Sequence, residues 1–433
     1  MIATLIISIS TFVLITLSLL FFPKIKLGKL NISTYWVVAT IGATLLLIFN
    51  LAPIDIVWSS LTKNDSVNPL KIIVLFFSMT ILSIFLDEVG LFKFLASYFS
   101  HKAKNHQVFL FVVLYILISI LTVFTSNDVV ILTFTPFICF FAKNSKINPI
   151  PYLVGEFVAA NTWSLMLMIG NPTNIYLAGY ANITFFEYFK VMFIPTLVGG
   201  TLELFLLLLI FKKPLHEKLE INHEINKIND KTSLFIGLIC LSLCIIFLVI
   251  SSYINIEMWI ISLSCALSLI ISISISNLIR RKSFKELFVS FKKLPYPLIP
   301  FFISMAIIVV SYNYQGISEE ITSLLGRNNV IWTYGFTSFV TCNFINNIPM
   351  SILYADIIST LPTNIYYQAT YATIVGSNIG AFLTPMGALA GIMFTSLVNE
   401  HDTKYSFIDF IKYGALISIP VISIILLMLF IMF

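Results

Sequence analysis

Residues 108–141 read VFLFVVLYILISILTVFTSNDVVILTFTPFICFF. A membrane-crossing helix needs about 20 apolar residues. This run is too long for one crossing, and its two arms, 108–124 and 129–141, are short for two. Between the arms stand Thr125, Ser126, Asn127 and Asp128. A charged Asp at membrane depth costs about 2.5–3.5 kcal/mol or more. Irregular backbone at that depth is tolerated only where protein or water surrounds it. The stretch therefore predicts a re-entrant hairpin entering from the cytoplasm. Ser126, Asn127 and Asp128 at its tip are candidates for binding substrate or a coupling ion. Asp128 suits a proton acceptor or a cation ligand. It also suits a cap on the second arm's helix, and the two roles are compatible.

A second run, IWTYGFTSFVTCNFINNIPMSILYADIISTL at 331–361, repeats the pattern from the outer face, with arms 331–342 and 350–361. Its tip holds Asn343, Asn346 and Asn347. Asn346 and Asn347 stand as counterparts of Asn127 and Asp128. Amides offer acceptors and donors without charge, and Pro349 suits the first turn of the following arm. Capping a buried helix start is the other reading of these Asn residues. Each hairpin is followed by an interrupted segment. Segment 150–180 contains Gly170-Asn171-Pro172-Thr173-Asn174. Segment 365–397 contains Gly376-Ser377-Asn378-Ile379-Gly380, with Thr384-Pro385 beyond. Gly and Pro break a helix, and freed carbonyls and half-helix ends can then hold a solute. Asn171, Thr173, Asn174, Ser377, Asn378 and Thr384 join the candidates. One Gly-Pro kink is usually structural. Four polar interruptions in matching places of two halves point to a transport site.

The rest of the chain agrees. Of 433 residues, 58% are hydrophobic and 10% charged, too few charges to cover a soluble surface. The other apolar segments are 3–22, 34–52, 70–88, 190–211, 233–252, 256–278, 296–312 and 412–432. The reading is an all-α polytopic membrane protein of about 11 transmembrane segments, built as two inverted repeats (1–211 and 233–433). A charged cytoplasmic linker, 212–232, joins them. Segment 3–22 has no basic leader or small-residue cleavage site and reads as an uncleaved first helix. With the N-terminus outside, loops 23–33, 89–107, 142–149, 212–232, 279–295 and 398–412 are cytoplasmic. They hold 21 of the 25 Lys and Arg residues. This is the bias of a prokaryotic plasma-membrane protein. The net charge of +5 is loop charge and gives no sign of nucleic-acid binding.

Other embedded carboxylates are less defined. Glu156, on the helix leading into the first interruption, suits a proton path or the inner interface. Glu203 has no polar neighbours in sequence and receives no role. Asp87 and Glu88 read as a solvated helix end, and Asp356 is left open. The five cysteines form no CxxC pair, and the five histidines all lie in polar segments. No Lys or Arg lies in the interior of a span, so a multivalent anion would rest on helix N-termini and amides alone. No metal set, nucleophile–base pair or GxxxxGK[ST] motif is present, which weighs against an enzyme and leaves an ion gradient or a separate ATPase subunit as the energy source. A channel would need a continuous polar pore.

Leu86-Asp87-Glu88-Val89-Gly90-Leu91-Phe92, Ser126-Asn127-Asp128 with Leu132-Thr133-Phe134-Thr135-Pro136, Asn346-Asn347-Ile348-Pro349, and Gly376–Gly380 with Leu383-Thr384-Pro385-Met386-Gly387 together resemble the arsenite/antimonite efflux permeases. These belong to an ion transporter superfamily that also holds divalent-anion/sodium symporters. The resemblance covers essentially the whole chain. It implies a site between the two tips, lined by Asn127, Asp128, Asn346, Asn347 and Asn378, and proton-coupled efflux by alternating access. The first interruption looks more like that of general anion permeases. A sodium- or proton-coupled permease for dicarboxylates or sulfate is therefore the alternative. The expected partners are a small inorganic or organic ion, membrane lipid, and a second copy of the chain or an ATPase subunit. The coupling ion is H⁺ or Na⁺, and no cofactor is expected.

Overall fold

The computed structural model describes residues 1–22, 24–27, 30–62, 68–102, 106–217, 227–228, 230–401, 403 and 405–433. The first half comprises α1 (Ile2–Phe21), a ribbon of β1 (Lys24–Leu27) and β2 (Leu30–Ser33), α2 (Thr34–Ile48), α3 (Ile54–Thr62), α4 (Pro69–Glu88), α5 (Leu91–Lys102), α6 (Gln107–Phe124), α7 (Asn127–Asn144), α8 (Ile150–Trp163), α9 (Pro172–Tyr180) and α10 (Phe185–Ile210). The second comprises α11 (Lys231–Ile254), α12 (Met258–Ile279), α13 (Lys285–Lys292), α14 (Leu298–Tyr314), α15 (Ile317–Leu325), α16 (Val330–Ile345), α17 (Asn347–Ser359), α18 (Thr363–Gly380), α19 (Leu389–Glu400) and α20 (Phe407–Met432). Most of the expected linker, residues 218–226 and 229, lies outside the described residues.

Among the described residues, six helices are long and apolar enough to cross a membrane alone. The pair α14–α15, bent by 81°, makes a seventh. The six include α6, an arm of the first hairpin, and shorter helices complete the bundle. The ribbon pairs Lys24 with Ser33 and Leu27 with Leu30, a local ladder inside the segment read only as a loop.

Hairpin geometry follows from side-chain pairing. Gln107, at the start of α6, meets Tyr152 at the start of α8, with Oε1 3.1 Å from the hydroxyl. Further in, α7 runs back along α8: Asn127 bonds Asn161, and Thr135 bonds Glu156. Both ends of α6–α7 therefore lie beside the start of α8, and the tip lies beside its end. The arms are 18 residues each, longer than expected. In the second half, α16 and α17 flank α18 in the same way. Gly376 and Gly380 let α16 touch α18 backbone to backbone: a Cβ on Gly376 would lie 2.4 Å from the Gly335 carbonyl oxygen, and one on Gly380 2.7 Å from that of Phe339. The Tyr366 hydroxyl near the start of α18 reaches the Tyr180 carbonyl at the end of α9. The second broken helix thus starts on the face where the first one ends, which is the inverted relation.

Both interruptions fall elsewhere than the Gly/Asn motifs suggest. The first runs from Ser164 to Asn171, including a 3-10 turn at Met168–Gly170, and Pro172 already opens α9. Pro at that position loses no bond, because the first helical N–H groups lack intrahelical partners. The second runs from Ala381 to Ala388. Gly376–Gly380 is the last stretch of α18, held helical by its packing against α16.

Candidate functional site

At the first tip, Ser126 caps α7 by accepting from the Val129 N–H at 3.5 Å. Asn127 Oδ1 accepts from the Asp128 N–H at 2.9 Å, and its Nδ2 donates to Asn161 Oδ1 at 3.2 Å. Asp128, in the first turn of α7, faces a cavity of about 1100 Å³. Tyr35, Thr80, Lys293, Pro385 and Met386 share its lining. Among the described residues, no hydrogen-bond donor reaches the Asp128 carboxylate. Lys293 is the cation at this cavity, and it is already paired, closely with Glu88 and at 3.9 Å with Asp87. Asp87 is buried against it, which corrects the reading of a solvated helix end.

The first interruption is closed by a residue of the second half. Asn378 Oδ1 accepts from Ser164 Oγ and from Asn171 Nδ2, each at 2.9 Å. Its Nδ2 donates to Asn174 Oδ1 at 2.6 Å and to the Ile374 carbonyl at 2.8 Å. Asn174 Nδ2 in turn donates to the Ser164 carbonyl at 2.9 Å, and Asn171 Oδ1 accepts from the Thr173 N–H at 3.1 Å. Gly170 is needed here, since a Cβ would lie 2.3 Å from the Ser164 carbonyl oxygen. The Thr173 hydroxyl is buried without a partner.

The second tip is fastened to its own interruption. Asn343 Oδ1 accepts from the Thr384 N–H at 3.0 Å and the Thr384 hydroxyl at 2.7 Å, while Nδ2 donates to the Gly380 carbonyl at 3.1 Å. Asn346 Nδ2 donates to the Met386 carbonyl at 3.0 Å, and the Asn347 N–H to the Gly387 carbonyl at 2.9 Å. Asn346 is the N-cap of α17, with φ 70°. Since Ser126 is the N-cap of α7, Asn346 corresponds to Ser126 and Asn347 to Asn127. Asp128 then corresponds to Ile348, one place away from the pairing that the bare motifs suggest. Ser377 lies 3.4 Å from Ser351 of α17.

Sequence reasoning missed Asn161 and Ser164, which join tip to interruption. Asn161 stands two residues before the end of α8, as Asn378 does in α18. Aligning the helix ends would have found it. Glu156 is buried, with one oxygen accepting from Thr135 at 2.8 Å and the other unpartnered. Asp356 ties α17 to the α14–α15 bend through Ser318 and Asn313. Glu203 is buried beside Thr162 and Tyr115.

The family model described as "Citrate transporter" (CitMHS) matches residues 12–375. The chain belongs to the citrate transporter family. Relatives include the arsenical pump membrane protein of Escherichia coli K12, 23% identical over 89% of this chain and 90% of the relative. That of Yersinia enterocolitica is 22% identical over 80% and 83%. A 46 kDa membrane protein of Mycobacterium leprae is 23% identical over 82% and 84%. The solved YdaH transporter of Alcanivorax borkumensis shares the fold, with a TM-score of 0.56 over 99% of this chain and 97% of that one, at 14% identity. This citrate transporter family member is a membrane transporter, not an enzyme.

Proposed function

We propose that this transporter exports arsenite or antimonite in exchange for protons, by alternating access. The observation that carries the reading is the Asp128 carboxylate, which faces a large cavity without a partner among the described residues. A neutral metalloid hydroxide offers hydroxyl donors to such a group. Among the described residues, a multivalent carboxylate would meet only Lys293, whose charge is already engaged by two acidic side chains. With the basic loops in the cytoplasm, the cavity opens inward, because Lys293, Asn399 and Ser406 stand at its edge. Asp128 takes a proton in one orientation and releases it in the other, and the hydrogen-bonded asparagines around Asn378 form the frame that moves. The arsenical pump relatives support the substrate. The family's citrate description and the presence of Lys293 favour an anion permease as the second reading.

The test is arsenite uptake into everted vesicles under an inside-acid gradient, comparing wild type with Asp128→Asn. Uptake that requires both gradient and carboxylate is expected. Wild-type uptake by Asp128→Asn would refute the role of Asp128. No uptake from folded wild-type protein would move the substrate to the anion class, tested next with sodium and dicarboxylates.

A further inference from the structure

Glu203 takes no part in the cavity. It lies on α10 and is fully buried. The Thr162 hydroxyl, from the last turns of α8, donates to Oε2. The Tyr115 hydroxyl, from α6, lies 3.0 Å from Oε1 and 2.7 Å from the Gly200 carbonyl. Trp163 Nε1–H donates to that same phenolic oxygen at 3.1 Å. Tyr115 has one proton and two acceptors in reach. The nearer acceptor is the Gly200 carbonyl. With the phenolic proton there, the 3.0 Å approach of Tyr115 to Glu203 is a hydrogen bond only if the carboxyl carries a proton and donates it.

The surroundings agree with the proton count. The groups bonded to Glu203 are Thr162 from α8 and Tyr115 from α6, and Trp163 of α8 reaches Tyr115. Against α10, α20 packs Val421 and Ile425 at Gly199. The ionisable residues of α20 (Asp409, Lys412 and Tyr413) lie toward its start, where the Tyr413 ring meets Phe211 at 5.0 Å. Among the described residues, no cation pairs with Glu203. An isolated carboxylate in such a place is costly, whereas a neutral carboxyl with every polar atom bonded is tolerated.

We propose that Glu203 is a proton-binding site of the transport cycle, holding its proton while Thr162 is docked on it and Trp163 on Tyr115. The proton passes to water only when the end of α8 moves off α10. The carboxylate left behind favours the hydrated, undocked arrangement. Proton occupancy is thereby coupled to the position of the Asn161–Ser164 stretch, which carries the bonds to Asn127 and Asn378. This inference rests on the proton-coupled reading, and its site is distinct from Asp128.

Infrared spectroscopy of the full chain in lipid nanodiscs tests the proton directly, without any substrate. A carbonyl band of a protonated carboxyl is expected in wild type, retained in Asp128→Asn, shifted in Glu203→Asp and lost in Glu203→Gln. Glutamine keeps the size and neutrality of the group, so Glu203→Gln is expected to elute as folded protein. Identical wild-type and Glu203→Gln spectra would overturn the proposal. In transport, Glu203→Gln is expected to change the dependence of rate on pH, leaving only the component that Asp128 supplies. A wild-type pH profile would overturn the role in the cycle. If wild type fails to carry arsenite, the infrared result still stands. If arsenite uptake depends on Asp128 but no Glu203 band exists, only this inference falls.

Discussion

The two hairpin tips are built on one plan and finished differently. The first presents Asp128 to the cavity and, among the described residues, its tip is joined to the broken helix beside it by the single side-chain bond Asn127–Asn161. The second has Ile348 in the equivalent place and is joined to its interruption by Asn343, Asn346 and the Asn347 N–H, five bonds in all. Duplication supplied two openings in the membrane. Chemistry then divided the labour, with one tip left ionisable and lightly held and the other neutral and fixed. A buried amide network is fully satisfied or costly, so the second tip behaves as one body with Thr384–Gly387.

The largest effect on the fold is expected from Asn378→Ala. It strands Asn171 Nδ2 and Asn174 Oδ1 inside the protein, while the Ser164 hydroxyl keeps the Asn161 carbonyl. Each unsatisfied buried group costs about 1–3 kcal/mol. The loss is expected as a lower unfolding temperature in detergent together with loss of transport. An Asn378→Ala protein as stable as wild type would show that the halves are not joined there.

Removing each tip's anchoring amide tests the comparison itself. Asn343→Ala releases the Thr384 N–H and hydroxyl and leaves the Gly380 carbonyl to the Leu383 N–H, whereas Asn127→Ala releases Asn161 Oδ1 and the N–H of Asp128, a residue that lines the cavity. By the same scale, Asn343→Ala should destabilise by about 2–4 kcal/mol and Asn127→Ala by about 1 kcal/mol. Asn127→Ala should still impair transport more than its stability loss explains. Equal unfolding shifts from the two variants would erase the difference between a fixed and a lightly held tip.

Much of this architecture is legible in the residues. Runs too long for one crossing predict both hairpins, although α6, at 18 residues, is itself long enough to cross, and Asp128 stands out by the cost of its position. The exact interruptions are not legible. Gly376 and Gly380 look like helix breakers, but they are small so that α16 can pack against α18, and that contact exists only after folding. Pro172 marks where a half-helix begins, not where one ends. Asn161 sits in an apolar run with nothing local to distinguish it. Glu203 looks alone because its partners Thr162 and Tyr115 lie 41 and 88 positions away in the chain.

A carboxylate outside the membrane supplies the smallest effect and a contrast with the unpaired Asp128. Asp230 caps α11 and accepts from Arg280 Nη1 at 2.7 Å and Lys282 Nζ at 3.1 Å. Partial desolvation would raise this carboxyl, but hydrogen bonds from Arg280, Ser233 and Lys282 outweigh it and hold the group well below the usual carboxylate range. A depressed value in the folded state means stability that is present above the unfolded carboxyl value, near ~3.9, and lost as pH falls through the folded one. Asp230→Asn preserves the helix cap, since Asn caps as well as Asp, and removes only the charge. Surface pairs of this kind are worth about 0.2–1 kcal/mol each, and salt screens them. Asp230→Asn should therefore unfold slightly earlier than wild type at neutral pH. The gap should narrow below pH ~4 and in high salt, while coupled transport stays unchanged. A gap that is constant with pH would mean that the α11–α12 ends are held by packing rather than by charge. Lost coupling in this variant would mean that an ion pair far from the tips governs the cycle that the free carboxylate of Asp128 is assigned here.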